Sequence, residues 1–267
     1  MCSRFPYDIY QHMEEQLISL TQASETEKTD DNESGEQNIS MPLASEFGLV
    51  LEDMYKAGVH LGHRVSRLHP KMKQYVFGIK NTVHIIDLEK TFQKFEEALL
   101  FLRELKKKNP VILFVATSPQ HKDLVSAMIK DTGMPFVVNR WLGGTLTNFA
   151  TLQKRVDYIK ELEDKRGSPS FDQYTKKERH DIEKEIEELN KKFGGFRNMN
   201  RLPDLVFVVD LKKDALAIKE AKRKGVVTMS IADTNVDPTI VDFPIPANDD
   251  ATSSVQYILG KIVEVLR

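Results

Sequence analysis

Two stretches of this chain carry cations with no acid among them. From Met54 to Val83 there is no Asp or Glu, while Lys56, Arg64, Arg67, Lys71, Lys73 and Lys80 alternate with His60, His63, His69, Tyr75 and Phe77. Cations so placed neutralise phosphates, and aromatic faces between them can stack on unpaired bases, so the pattern points toward RNA. A solvated basic loop has the same composition, and composition alone leaves both readings open. The second acid-free stretch, Thr132 to Val156, holds Arg140, Trp141, Asn148, Lys154 and Arg155. Here Trp141 and Leu142 equally suit an apolar seat for the helices that follow.

Other chemistries find less support. His60 and His63 are spaced so that two imidazoles could share a metal, with His69 and His84 nearby, but zinc needs further ligands and the single cysteine is Cys2. These histidines read as structural or RNA-facing, and no metal or cofactor is assigned. Asp210 and Asp233 end two apolar runs, with Asn235 and Asp237 close behind. A cation or a general base there is conceivable, but helix capping and turn chemistry are the simpler account. Neither G-x-G-x-x-G after a strand nor G-x-x-x-x-G-K-[ST] occurs, Gly143-Gly144 lacks the context of a dinucleotide loop, and there is no G-x-S-x-G elbow. No catalytic residue and no small-molecule substrate is assigned.

The charge balance sharpens this when it is split by position. The 267 residues carry 38 Lys plus Arg against 40 Asp plus Glu, a net charge of −2. Residues 1–50 hold ten acidic and two basic side chains, whereas residues 51–267 hold 30 acidic and 36 basic. A basic body thus follows an acidic leader, and its uneven charge favours one RNA-facing surface. One cysteine permits no internal disulfide and fits a reducing compartment. No apolar run approaches the roughly 18 residues of a membrane span. The leader has neither a secretory signal's basic start and apolar core nor a transit peptide's poverty in acids, so the expectation is a cytoplasmic protein. Residues 21–40 are too polar to offset the entropy of ordering them and read as disordered. Ile9, Met13 and Leu17 recur every four residues, so residues 7–20 can form one short amphipathic helix, though isolated short helices are marginal in water and a frayed end is the favoured reading.

The elements that must position these residues alternate between helical periodicity and short β-branched runs, the pattern of βαβ units around a parallel sheet. Strands are expected at 84–86, 111–117, 136–139, 205–210 and 226–232, and helices at 46–57, 91–108, 121–131, 213–224 and 250–266. Phe92, Phe95, Leu99, Leu102 and Leu105 mark the buried face of the second helix. Between residues 139 and 205 there is no strand signal. Leu146, Phe149, Leu152, Val156, Ile159 and Leu162 recur at helical spacing, as do Ile182, Ile186, Leu189 and Phe193. Joined by Gly167-Ser168-Pro169-Ser170 and closed by Gly194-Gly195, they predict an antiparallel helical hairpin. The domains expected are an acidic leader (1–45), an α/β domain (46–145 with 196–267) and the inserted hairpin (146–195). From the residues alone, two rivals stand beside RNA binding: a nucleotide- or phosphate-ligand enzyme on the same scaffold, and an adaptor that binds only proteins through the hairpin.

AGVHLGHRVSRLHPKMKQYVFGIKNTVHIIDLEKT, NRWLGGTLTNF, FDQYTKKE, KKFGGFRNMNRLPDLVFVVD and IADTNVDP, in that order, resemble the landmarks of the bacterial-type small-subunit ribosomal protein S2 family. The resemblance runs from about Phe47 to Arg267. It implies a flavodoxin-like, Rossmann-like α/β domain with an inserted helical hairpin and no catalysis. It also implies a structural place in the small ribosomal subunit, between head and body on the solvent side. The implied partners are small-subunit ribosomal RNA, neighbouring ribosomal proteins and, in many bacteria, ribosomal protein S1. RWLGGTLTN points to the bacterial and organellar branch, with a cytoplasmic ribosome favoured over an organellar one. Carried over by position, Arg64, Arg67, Lys71, Lys73 and Lys80 fall on one signature segment and are expected to meet RNA, with Arg140, Asn148, Lys154 and Arg155 in second place. The acidic leader lies outside the family pattern, and the chain stops at Arg267 short of the tail many relatives carry.

Overall fold

The computed structural model describes residues 46–267 apart from 131, 169, 170 and 172, so the readings of the acidic leader lie outside the described residues. Strands β4 (Ile112–Val115) and β6 (Leu205–Val208) are wholly buried apolar runs, and β7 (Val227–Ala232) is buried from Thr228 on, with the hydroxyls of Thr228 and Ser230 bonded internally to Asp242 and the Val208 carbonyl. Such runs have no polar face to offer water and must be covered on both sides, which is the condition of a central parallel strand. With β5 (Phe136–Val137) and β8 (Phe243–Pro246) they form a five-stranded parallel sheet in the order β5-β4-β6-β7-β8. Ile112 pairs with Leu205, Leu205 with Val227, and Met229 with Phe243.

Helices α2 (Leu88–Lys106), α3 (Lys122–Lys130) and α7 (Thr252–Leu266) pack together along one side, where Phe101 stacks on Phe243 at 4.5 Å. Helix α2 starts at Asp87, whose side chain accepts the Glu89 N–H at 3.1 Å. It buries Phe92, Phe95, Leu99, Leu102 and Leu105, the face its periodicity predicts. Helix α6 (Ala215–Arg223) lies in a separate apolar cluster with Leu113, Val115, Val206 and Val208. Met72, Trp141, Leu146, Leu152, Val156 and Phe196 join that same cluster, so both acid-free stretches are anchored in one body of apolar side chains.

Between β5 and β6 the chain leaves the sheet as α4 (Phe149–Gly167) and returns as α5 (Lys176–Phe193). Val156, Ile159, Leu162 and Ile186 are buried between them. A capping box opens α5: Thr175 Oγ1 accepts the Glu178 N–H while the Glu178 carboxylate accepts the Thr175 N–H at 2.8 Å. The returning turn Gly194–Phe196 lies so close to β5 that a side chain at Gly195 would collide with the Phe136 carbonyl oxygen.

The sequence gives no sign of a second sheet. β1 (Leu61–Arg64), β2 (Val76–Lys80) and β3 (Val83–Ile86) form a small antiparallel sheet in the order β1-β3-β2. Residues 84–86 are therefore extended as predicted, but in a different sheet from the other expected strands. β2 and β3 are joined by Asn81-Thr82 with φ of +50° and +64°, a two-residue turn in the left-handed region that matches strand twist. Thr at the second position, where Gly is usual, hides the signal. β8 was missed because Pro244 and Pro246 argue against a strand; as an edge strand it tolerates them. The first helix, α1 (Leu51–Lys56), is shorter than the 46–57 expected. Gly195→Ala is expected to lose about 2–4 kcal/mol of stability by forcing the hairpin off β5, read as a lower midpoint in urea unfolding.

Candidate nucleic-acid interface

The loop after β1 is fixed at its base and free at its rim. Gly62 lets β1 lie against Thr234, whose side chain would occupy the space of a Cβ. The His63 N–H then donates to Thr234 Oγ1 at 2.9 Å, and the His69 N–H to the Thr234 carbonyl at 2.8 Å. A 3-10 helix, Pro70–Tyr75, follows with His69 Nδ1 accepting the Lys71 N–H and Met72 completely buried beneath it. Lys71 Nζ donates to Asp237 Oδ2 and Thr239 Oγ1, both at 2.8 Å. Those bonds, Lys71 first and Thr239 second, hold the Asp237 carboxyl far below its ordinary range. Lys71 therefore ties the loop to the β7–β8 connection. Arg64, Arg67, Lys73 and Lys80 are exposed and make no ion pair with a described residue. Phe77 (81% exposed) and Ile79 (60%) stand on β2 beside Lys80.

The second stretch is organised around one acid that the sequence reading missed. Glu220, on α6 and 3% exposed, accepts five hydrogen bonds. Trp141 Nε1 and the Gly144 N–H donate to Oε1 at 3.2 and 2.8 Å. The Leu146 N–H, the Thr147 N–H and Thr147 Oγ1 donate to Oε2 at 3.0–3.1 Å. Burial pushes the carboxyl pKa up, but the hydrogen bonds from Gly144, Thr147, Trp141 and Leu146 outweigh it and hold the pKa below the ordinary 4.5. Gly144, at φ +94°, supplies the left-handed turn that aims these N–H groups inward. Arg140, Asn148, Lys154 and Arg155 remain exposed around this turn and the first turns of α4. No signal in the sequence singles out Glu220, because its donors lie 73 to 79 positions away.

At the carboxyl edge of the sheet the acids satisfy one another's neighbours. The strand order reverses between β4 and β6, where open α/β sheets seat ligands. Here Ser118 Oγ donates to Asp210 at 3.0 Å, and Thr117 donates through N–H and Oγ1 to Asp214 at 3.1 and 2.7 Å. Asp233 accepts through Oδ1 from the N–H and hydroxyl of Thr234, as turn chemistry predicts, and its Oδ2 forms an ion pair with His63 Nδ1 at 3.0 Å. The bond to Asp233 raises the His63 pKa against the effect of burial. Burial, and after it the carboxylates of Asp233, Asp210 and Asp250, push the Asp249 carboxyl pKa well up. His63, Asp233, Asp249 and Asp250 each place a ligand atom within 4.8 Å of the others, an oxygen-rich donor set of the kind divalent cations take. His60 is not in this group; it stacks on Tyr55 at 4.3 Å. The two histidines paired by sequence spacing thus have separate surroundings.

A family model described as Ribosomal protein S2 matches residues 54–267. The small ribosomal subunit protein uS2 of Dictyoglomus turgidum is 41% identical over 218 residues, covering 82% of this chain and 89% of the relative. The uS2 of Dehalococcoides mccartyi strain 195 is 42% identical over 214 residues, 80% and 87% of the two chains. That of Thermus thermophilus is 42% identical over 218 residues, 82% and 85%. The chain belongs to the ribosomal protein S2 family. This is a family of non-enzymatic structural proteins, which sets aside the nucleotide-enzyme reading of the α/β scaffold.

Glu220→Gln would bring an amide N–H₂ against an array of donors. It is expected to cost about 2–4 kcal/mol at neutral pH. Because the folded pKa lies below the unfolded one, Glu220 contributes stability above pH 4.5 that is lost as pH falls through its folded value. The variant should therefore lose less stability on acidification than the parent, which urea unfolding at neutral and acidic pH measures.

Proposed function

We propose that this chain is a structural constituent of the small ribosomal subunit that binds its ribosomal RNA and supports subunit assembly and translation. Family membership supports the role, and the observation that carries the contact is the loop at 64–80. Its base is pinned by Thr234, Met72 and Lys71, while Arg64, Arg67, Lys73 and Lys80 project with no acid among the described residues to neutralise them. A pinned loop loses little entropy on meeting a phosphate backbone, and exposed aromatic and aliphatic side chains beside it suit unpaired bases. Arg140, Asn148, Lys154 and Arg155 form the second contact, at the foot of the hairpin.

Neighbouring ribosomal proteins are the further partners, ribosomal protein S1 among them, and the hairpin of residues 146–195 acts as a distinct arm on the α/β domain. The site of action is the cytoplasmic ribosome. Among the described residues no helix is long and apolar enough to cross a membrane.

Changing Arg64, Arg67 and Lys73 together to Ala should leave the fold intact and lower binding to small-subunit ribosomal RNA by about tenfold or more at moderate salt. The slope of log affinity against log salt should become shallower by about 2 to 3. Lys71→Ala alone should act chiefly on stability, by about 1 kcal/mol at most for so exposed a pair. Filter binding and gradient co-sedimentation read both effects. Unchanged RNA affinity in the triple variant, with hairpin-dependent protein binding that resists salt, would point to a protein-only adaptor instead.

A further inference from the structure

At the foot of the hairpin, between β5 and the end of α5, lies a cavity of about 310 Å³. Residues 136–139 line one side. Lys130 and Arg140 stand toward the sheet, Lys191, Lys192 and Arg197 toward the hairpin, and no carboxylate of a described residue lines it. Arg197 is paired with Glu163, but Lys130, Arg140, Lys191 and Lys192 have no acidic partner among the described residues. Lys130 ends α3, and Lys191 and Lys192 sit in the last turn of α5, where helix dipoles favour cations. Arg140 belongs to neither helix end, and an anion entering the concavity meets cations on both rims.

The cavity offers more than charge. Asn139 Nδ2 donates to the Lys191 carbonyl and its amide oxygen remains an acceptor, while the half-buried Phe136 lines the same space. A duplex backbone presents phosphates along a convex ridge and puts nothing into a cavity of this size. A single nucleotide splayed from its strand does, with a base to stack and hydrogen-bond and a phosphate on each side. We propose that this cavity seats one unpaired nucleotide of ribosomal RNA, its base beside Phe136 and Asn139 and its flanking phosphates on the two cationic rims. The inference rests on the RNA-binding reading but uses a surface separate from the 64–80 loop.

The test measures binding of the full chain to transcribed small-subunit ribosomal RNA over a series of salt concentrations. Lys191→Ala with Lys192→Ala should weaken binding about five- to tenfold and make the salt slope shallower by about 1.4. Asn139→Trp, which fills the cavity without altering charge, should weaken binding comparably. Ultraviolet cross-linking of the parent complex should leave a nucleotide adduct within residues 136–140. Parent-like binding by Asn139→Trp, with loss confined to the Arg64/Arg67/Lys73 variant, would overturn the cavity proposal and leave the RNA reading standing. If neither the loop variant nor the cavity variants change binding, both readings fall. Should Asn139→Trp not fold, the adduct decides: its presence supports the seat and its absence removes it. Competition by 5′-AMP at the concentrations at which RNA binds would make this a free-nucleotide site and would also overturn the proposal.

Discussion

The buried carboxylate of Glu220 is the interaction on which both halves of the molecule depend. A charge taken out of water on α6 is tolerable only because five donors from residues 141 to 147 converge on it. Those donors belong to the segment that leads from the sheet into the hairpin. Trp141 and Leu146 are thereby held in the apolar cluster, and the start of α4 is aimed from a fixed turn. A neutral or longer side chain at position 220 would release the turn, and with it the cations around the foot of the hairpin. One electrostatic knot inside the α/β body thus sets where an outlying basic surface points.

The two cationic regions share an architectural logic. Each presents exposed Lys and Arg around a connecting segment, and each is fastened from below by a buried residue of the same cluster, Met72 in one case and Trp141 in the other. Rigid fastening holds that arrangement in place whether or not a partner is bound. At the strand reversal Ser118 bonds to Asp210 and Thr117 to Asp214. An α/β sheet here carries its exposed basic surface on its connections and on the hairpin foot.

What the sequence displayed and what it hid divide along physical lines. The buried strands β4, β6 and β7 and the helices α2, α4 and α5 announce themselves because burial imposes a local periodicity. The small antiparallel sheet does not: β1 includes Gly62 and His63, β2 exposes Phe77 and Ile79, and the Asn81-Thr82 turn lacks the usual glycine. The basic stretches were legible as compositional gaps in acid. Their internal division was not, since Lys71 differs from Lys73 only by finding Asp237 and Thr239 across 166 and 168 positions. Glu220 and the separation of His60 from His63 are likewise products of long-range contact, invisible to any local pattern.

A parallel sheet has two open margins, and an unpaired margin is a template for another chain. Here β8 is one margin, and two of its four residues are prolines with no N–H to offer. The other, β5, is only two residues long and lies under the Gly194–Phe196 turn. Strand-by-strand association between copies is therefore blocked at both ends by covalent geometry and by cover. A protein that must persist as a free chain between synthesis and incorporation into a larger particle gains from that protection, because its sheet meets other copies throughout the wait.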